Sequence, residues 1–299
     1  MSTLRNRMDS GKRIVLAEIA PPASGDASEV RKLAQKFAGK VHGLGMSDNR
    51  ERVTMSAIAA ASIAASQGVE PIVHMAARDR NRIALISDFL GAQALGIRNI
   101  LCTSGSHQTL GQFRSSKNVF DIDATILLQT FSNLKKDATI IGTAKIAGDV
   151  AVCLGAVASP YADPMELQLP RLAQKIFVGA QFIITQPVFD VDRFLLWWNE
   201  VKNRGLDQKA AFIAGIRILT DAKTAREFAE GRPSPMVTEE IVKRLESASG
   251  PAAARKEGIA IAMETIGKLS AMGGIRGFQI VCDEDTQAAI EVVDSITTD

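Results

Sequence analysis

The sequence predicts an α/β fold, a single (β/α)8 TIM barrel spanning residues 1–299, and three observations carry that expectation. Short β-rich apolar runs alternate with longer stretches of helical period, the pattern of βα units around a parallel sheet. Eight such runs can be counted, which favours a closed barrel over an open doubly wound sheet. The length of 299 residues, 46% of them hydrophobic and 23% charged, suits one such unit, since barrels of this class run to about 250 residues as one domain.

In chain order the predicted strands are Arg13–Ile19, Val41–Met46, Pro71–Ala76, Asn99–Thr103, Val150–Val157, Phe182–Thr185, Ala211–Ile216 and Gly277–Val281. Each is a short apolar run bounded by polar residues, as strands buried on both faces require. The helical period recurs over Ala27–Ala38, Val53–Ala65, Arg80–Leu95, Ala124–Leu134, Met165–Val178, Val191–Val201 and Ala252–Ala271. Gly68 and Gly96 stand just past apolar-periodic stretches as stop signals, and Asp163-Pro164 predicts a cap followed by proline at the first helical position. Ala222–Glu230 and Thr238–Ser247 read as two helices split by the proline-rich Gly231–Pro235, an elaborated βα connection. Trp197 and Trp198 fall in a helical run and read as packing between helix and barrel.

Thirty-five basic residues balance 33 acidic ones to a net charge of +2, and the basic residues are dispersed, so neither a nucleic-acid footprint nor a membrane anchor is expected. The polar stretch Met1–Lys12 lacks the apolar core of a signal peptide, and no run approaches the roughly 18 apolar residues of a membrane span, so a cytoplasmic protein is expected. Cys102, Cys153 and Cys282 lie far apart in apolar segments and read as buried thiols. His42, His74 and His107 lack metal-ligand spacing, so no metal is expected. No Gly-x-Gly-x-x-Gly follows a strand, and there is no Walker lysine or Gly-x-Ser-x-Gly elbow.

In barrels of this class the chemistry sits at the carboxyl ends of the strands, so the polar residues directly after each apolar run are the candidates. Glu18 follows Ile14–Ala17 and precedes Pro21-Pro22. Buried without a cationic neighbour, it would have a raised pKa and could donate a proton near neutrality; a glutamate facing solvent at the rim is the alternative. Ser47-Asp48-Asn49-Arg50 and His74 through Asn81 bring hydroxyl, amide, imidazole and guanidinium groups to adjacent strand ends, suited to a ligand with carbonyls and phosphates. Asp79–Asn81 reads equally as a helix cap, and His74 as a satisfied core histidine. Thr103-Ser104-Gly105-Ser106 is a small-residue turn whose backbone amides can approach a flat cofactor or a pyrophosphate. Gln186, after Phe182–Thr185, needs partners that either a heterocycle edge or the neighbouring backbone can supply.

Together these strand ends resemble the methylenetetrahydrofolate reductase family from Ile14 to about Ile290, and most closely the branch found in acetogens and in proteins fused to a homocysteine methyltransferase. The resemblance is carried by Ala17–Pro22, Glu70–His74 running into Arg78–Asn81, Gly91–Asn99, Val119–Asp123 and Thr185–Asp190. It implies a flavin barrel, binding FAD or alternatively FMN, that reduces 5,10-methylenetetrahydrofolate to 5-methyltetrahydrofolate with electrons from NAD(P)H or a partner protein. Glu18 would protonate the bridging amine and open the five-membered ring to an iminium, which takes hydride from the reduced flavin. By the same resemblance Gln186 would bind the pterin and contact the nicotinamide, and Phe228 would stack on bound ligand. Ser47, Asp48, His74, Thr103, Ser104, Gly105, Asp121 and Lys175 would line the flavin.

The chain departs from the family at Gly105-Ser106, where Gly-Asp is common. That aspartate's charge is expected to stabilise the cationic iminium, whereas Ser106 offers the substrate a hydrogen bond without charge. Gly155–Pro160 likewise lacks the tyrosine and histidine some relatives use after the fifth strand. Three readings stand: an active reductase, a flavin- or folate-binding subunit whose activity depends on a partner, and a flavin-free lyase or aldolase barrel. Either a homo-oligomer or a hetero-complex is compatible with the sequence.

Overall fold

Strands β1 (Ile14–Ile19), β2 (Gly43–Met46), β3 (Pro71–Ala76), β4 (Asn99–Thr103), β5 (Cys153–Ala158), β6 (Phe182–Pro187), β7 (Ala211–Arg217) and β8 (Ile275–Cys282) pair in parallel in sequence order. β8 closes the ring on β1, pairing Leu16 with Gln279 and Glu18 with Val281, so the chain is a single (β/α)8 TIM barrel. The computed structural model describes residues 3–139, 150–230, 237–283 and 285–297.

Side chains alternate across a strand, and here the alternation divides two cores. Ile14, Leu16, Ile72, Leu101, Phe182, Ile184 and Ile213 point inward and pack with Leu4 and Met8 of helix α1 (Thr3–Asp9). Val15, Ala17, Leu44, Val73, Met75, Ile100, Ile183 and Phe212 point outward into the larger core beneath the helices. Those helices are α2 (Ala27–Phe37), α3 (Ala57–Ala65), α4 (Arg82–Ala94), α5 (Ala124–Asp137), α6 (Met165–Phe177), α7 (Val191–Asn203), α8 (Ala222–Ala229), α9 (Glu239–Glu246), α10 (Pro251–Ala271) and α11 (Thr286–Thr297). Trp197 and Trp198 of α7 are buried against Phe194 and Phe212, as packing residues, and the three cysteines are buried and free.

Several predicted boundaries move for local reasons. α3 begins at Ala57 instead of Val53, because Ser56 caps it and Asn49 Oδ1 accepts from the Thr54 amide at 2.9 Å, holding the preceding residues as a loop. β5 begins at Cys153 instead of Val150, and β6 runs on to Pro187 through a register shift. Pro164 is the N-cap of α6, not its first helical residue, and Asp163 pairs with Arg193 at 2.7 Å instead of capping. Gly231–Pro235 lies outside the described residues, while α8 and α9 flank it as expected. α1 and α11 were not among the predicted helices.

The barrel interior is closely packed where Gly155 of β5 stands beside Phe182 of β6, because a Cβ on Gly155 would lie 2.2 Å from the phenylalanine ring. Gly155→Ala is therefore expected to lower the unfolding free energy by roughly 1–3 kcal/mol in urea titration. Combining it with Phe182→Leu should cost less than the two single losses summed.

Candidate active site

The alternation that points Leu16 inward brings Glu18 to the carboxyl-terminal mouth of the barrel. His74, Thr103, Val157, Gln186, Arg217, Gln279 and Val281 join it there from β3 to β8, lining a cavity of about 440 Å³. Small-molecule sites fall in the same range, about 300–1,000 Å³.

Glu18 is only 7% exposed, yet it is not the lone acid the sequence suggested. Arg50 Nη1 donates to its Oε1 at 3.0 Å and Gln279 Nε2 donates to its Oε2 at 2.6 Å. The loop after β2 folds back over the mouth and brings Arg50 to β1, a pairing across 32 residues that local sequence could not display. Arg50 also reaches Asp283 at 3.5 Å, and Asp283 accepts from Arg217 Nε. The Arg217 guanidinium lies 4.4 Å from the centre of the Phe228 ring, within cation–π range. Alternating charges thus connect Glu18 to Phe228 across the mouth.

His74 is also 7% exposed, and its Nε2 has no hydrogen-bond partner, so it is not a satisfied core histidine. Burial pushes its pKa below the ordinary value, with Arg50 adding to the effect against the opposing charges of Glu18 and Asp48. It fits because Gly45 of β2 has no side chain: a Cβ there would lie 2.9 Å from Nε2.

Of the other expected residues, Ser47, Asp48, Thr103, Gly105, Ser106, Gln186 and Phe228 line the cavity. Asp48 is buried and accepts from the Ala76 amide at 2.9 Å and from Arg80, so Arg80 braces Asp48 and Asp88 instead of facing a ligand. Burial raises the Asp48 pKa, against the pull of Arg80. Gly105 has φ +81°, and a Cβ there would meet that of Arg78 at 2.9 Å, so this turn needs glycine.

Three expected flavin contacts are not among the lining residues. Ser104 Oγ accepts from the Ala124 amide at 3.1 Å at the start of α5. Asp121 is held by the Arg82 side chain and amide, which lower its pKa to about 2. Lys175 Nζ donates to the Val157 carbonyl at 2.7 Å, and burial lowers its pKa. Asn81 is a helix cap, accepting from the Ala84 amide at 3.0 Å.

The sequence reading missed the roles of Arg50, Arg78, Arg217 and Gln279. Arg78 is buried and ties three loops together, donating to the Asn49 carbonyl at 2.7 Å and the Ser106 carbonyl at 3.2 Å. Arg217 ends β7 and obeys the strand-end rule that found Glu18. Gln279 is a polar residue at an inward position within an apolar strand, a signal that the strand-end rule does not use. A larger lobe of about 990 Å³ adjoins the inner cavity, with Arg50, Arg217 and Phe228 at the boundary and Pro22, Arg52 and Thr220 beyond.

Fold and site together define a class: a (β/α)8 barrel with a cavity at its strand ends, lined by a buried carboxylate and a buried imidazole. The chain belongs to the methylenetetrahydrofolate reductase family, which matches residues 3–297. Methylenetetrahydrofolate reductase 2 of Saccharomyces cerevisiae is 43% identical over 56 residues, 19% of this chain and 9% of the yeast protein, so the match spans a small part of that relative. A protein from Clostridium thermocellum that binds two copies of 5-methyl-5,6,7,8-tetrahydrofolic acid superposes with a TM-score of 0.67 at 15% identity, covering 99% of each chain. An F420-dependent secondary alcohol dehydrogenase shares the barrel with a TM-score of 0.55 at 10% identity, over 95% of this chain and 98% of its own. Among the described residues no helix is long and apolar enough to cross a membrane, and no group of three or more His, Cys, Asp or Glu could hold a metal ion.

With its pKa lowered by burial, His74 should remain neutral at a pH of about 6.5, where an ordinary histidine is half protonated. As the pH falls below that point the unfolded chain takes up a proton that folded His74 refuses, so stability should fall. Nitrogen-detected NMR and urea unfolding across pH check this. His74→Gln should flatten part of the slope, whereas a His74 that titrates at the ordinary value would contradict the assignment.

Proposed function

We propose that the protein is a flavin-dependent reductase that converts 5,10-methylenetetrahydrofolate to 5-methyltetrahydrofolate, with Glu18 as proton donor. The observation that carries this reading is Glu18 itself: in a chain of this family, a buried carboxylate stands at the barrel mouth beside an imidazole with an unpartnered nitrogen.

The residues present fit a flavin, FAD by resemblance. The unpartnered His74 Nε2 offers a polar contact to a heterocycle, and the Gly105 turn keeps one wall free of side chain. Ser47, Asp48, His74, Thr103 and Gly105 would hold the ring. Arg114 is a cation that lines the cavity and suits a phosphate. Lys175 and Asp121 would first have to leave Val157 and Arg82. When bound, the flavin supplies hydride to the one-carbon unit.

The chain's own residues supply the proton and the orientation. Gln186 and Phe228 would hold the pterin and its aromatic extension, the latter toward the outer lobe. Arg50 covers Oε1 of Glu18, and its second partner Asp283 gives it a place to go when substrate enters. With Arg50 withdrawn, a protonated Glu18 can give its proton to the bridging nitrogen, and the five-membered ring opens to the iminium that accepts hydride. NADH, NADPH and a partner protein are the candidate electron sources, to be separated by testing each on the purified protein.

Glu18→Gln should leave flavin reduction by the electron donor intact while slowing folate reduction by about 10²–10⁴-fold in stopped-flow assays. Equal losses in both half-reactions would refute the role. Ser106 lines the same cavity without charge, so Ser106→Asp should speed the folate half-reaction by about tenfold through stabilisation of the iminium. An unchanged rate would mean that other groups already stabilise that charge.

A further inference from the structure

We propose that Gln279 is the positioning residue for Glu18, and that its second amide atom accepts a hydrogen bond from an N–H of the bound pterin. The proposal rests on Glu18 being the proton donor.

Gln279 is 2% exposed and lies inward on β8, between Leu16 of β1 and Gly215 of β7, in a strand whose neighbours are Phe278, Ile280 and Val281. A buried amide in such surroundings costs about 1–3 kcal/mol for each hydrogen-bonding group left unmatched. Its Nε2 is matched, donating to Glu18 Oε2 at 2.6 Å. Because an ionised carboxylate only accepts, that bond fixes the amide's orientation and turns Oε1 away from Glu18. Oε1 then finds no donor among the described residues.

His74, which also lines this cavity, carries a second buried and unpartnered atom, Nε2. In the barrel order β8, β1, β2, β3, Glu18 stands between Gln279 and His74, and glycine at position 45 leaves β2 without a side chain between them. Two unmet atoms therefore flank the acid. A reduced pterin, with N–H groups along its edge, supplies what Gln279 Oε1 lacks, while His74 Nε2 is left to the flavin.

The two partners of Glu18 also differ in how firmly they are held. Gln279 sits in the closed sheet, whereas Arg50 is on a loop, is 36% exposed and has Asp283 as a second partner. Gln279 can keep the carboxyl's rotamer while Arg50 withdraws, which makes Oε1 the oxygen that carries the proton to substrate.

Gln279→Met keeps the side chain's length and removes both hydrogen bonds. It is expected to retain the wild-type circular dichroism and flavin reduction. It should weaken binding of 5-methyltetrahydrofolate about tenfold by calorimetry, slow the folate half-reaction at least as much, and shift that step's pH profile. Gln279→Glu should be slow near neutral pH and recover as the pH falls, because a protonated glutamate again donates to Glu18. Wild-type binding, rate and pH profile in both variants would overturn the proposal while leaving Glu18 as the donor. Full folate turnover by Glu18→Gln would overturn both. If Gln279→Met fails to fold, Gln279→Glu decides: absence of recovery at low pH would overturn the positioning role.

Discussion

The site depends on one constraint: a carboxylate taken into the mouth of the barrel must have both oxygens met. Burying an unmatched carboxylate costs several kcal/mol, so Glu18 can occupy this position only because Arg50 and Gln279 donate to it. Gln279 comes with the closure of β8 on β1. Arg50 must be delivered by a loop, and much of the surrounding architecture holds that loop. Asn49 accepts from Thr54, Pro22 accepts from the Met55 amide at 2.8 Å, and buried Arg78 binds the Asn49 carbonyl. The Glu51 carbonyl in turn receives the Gln112 amide at 2.9 Å, which fastens the loop after β4 across the same mouth.

A rigid ring carrying one partner and a loop carrying the other separates two tasks. The sheet sets where the acid points, and the loop sets what covers it. The run from Arg50 through Asp283 and Arg217 to Phe228 extends that cover to the boundary of the outer lobe. Movement of Arg50 toward Asp283 would keep its charge paired, so uncovering Glu18 does not require a bare guanidinium. The glycines matter for the opposite reason: Gly45 makes room for His74, and Gly105 lets the turn after β4 pass close to Arg78.

Much of this was legible in the sequence. Eight apolar runs gave the barrel, and the residues after them included Glu18, His74, Gln186 and Ser106, all at the cavity. The pairing of Glu18 was not legible, because it joins residues far apart in the chain, and spacing along one strand carries no information about such contacts. Gln279 escaped the strand-end rule because it lies inside the eighth apolar run and not after it. Asp121, Ser104 and Lys175 show another limit: a side chain beside a strand end can serve a neighbouring guanidinium, a helix start or a strand carbonyl as readily as a ligand. The start of β5 was misplaced because Val150 and Val152 continue the apolar run, although parallel pairing with β4 begins only at Cys153.

The central claim is that Glu18 meets the folate and that Arg50 gives way to it. A crystal structure with 5-methyltetrahydrofolate bound tests this most directly. The account predicts the folate's bridging nitrogen about 3 Å from Glu18 Oε1, with Gln279 still on Oε2 and Arg50 moved onto Asp283. A folate seated elsewhere on the barrel, with the bond between Arg50 and Glu18 intact, would contradict it.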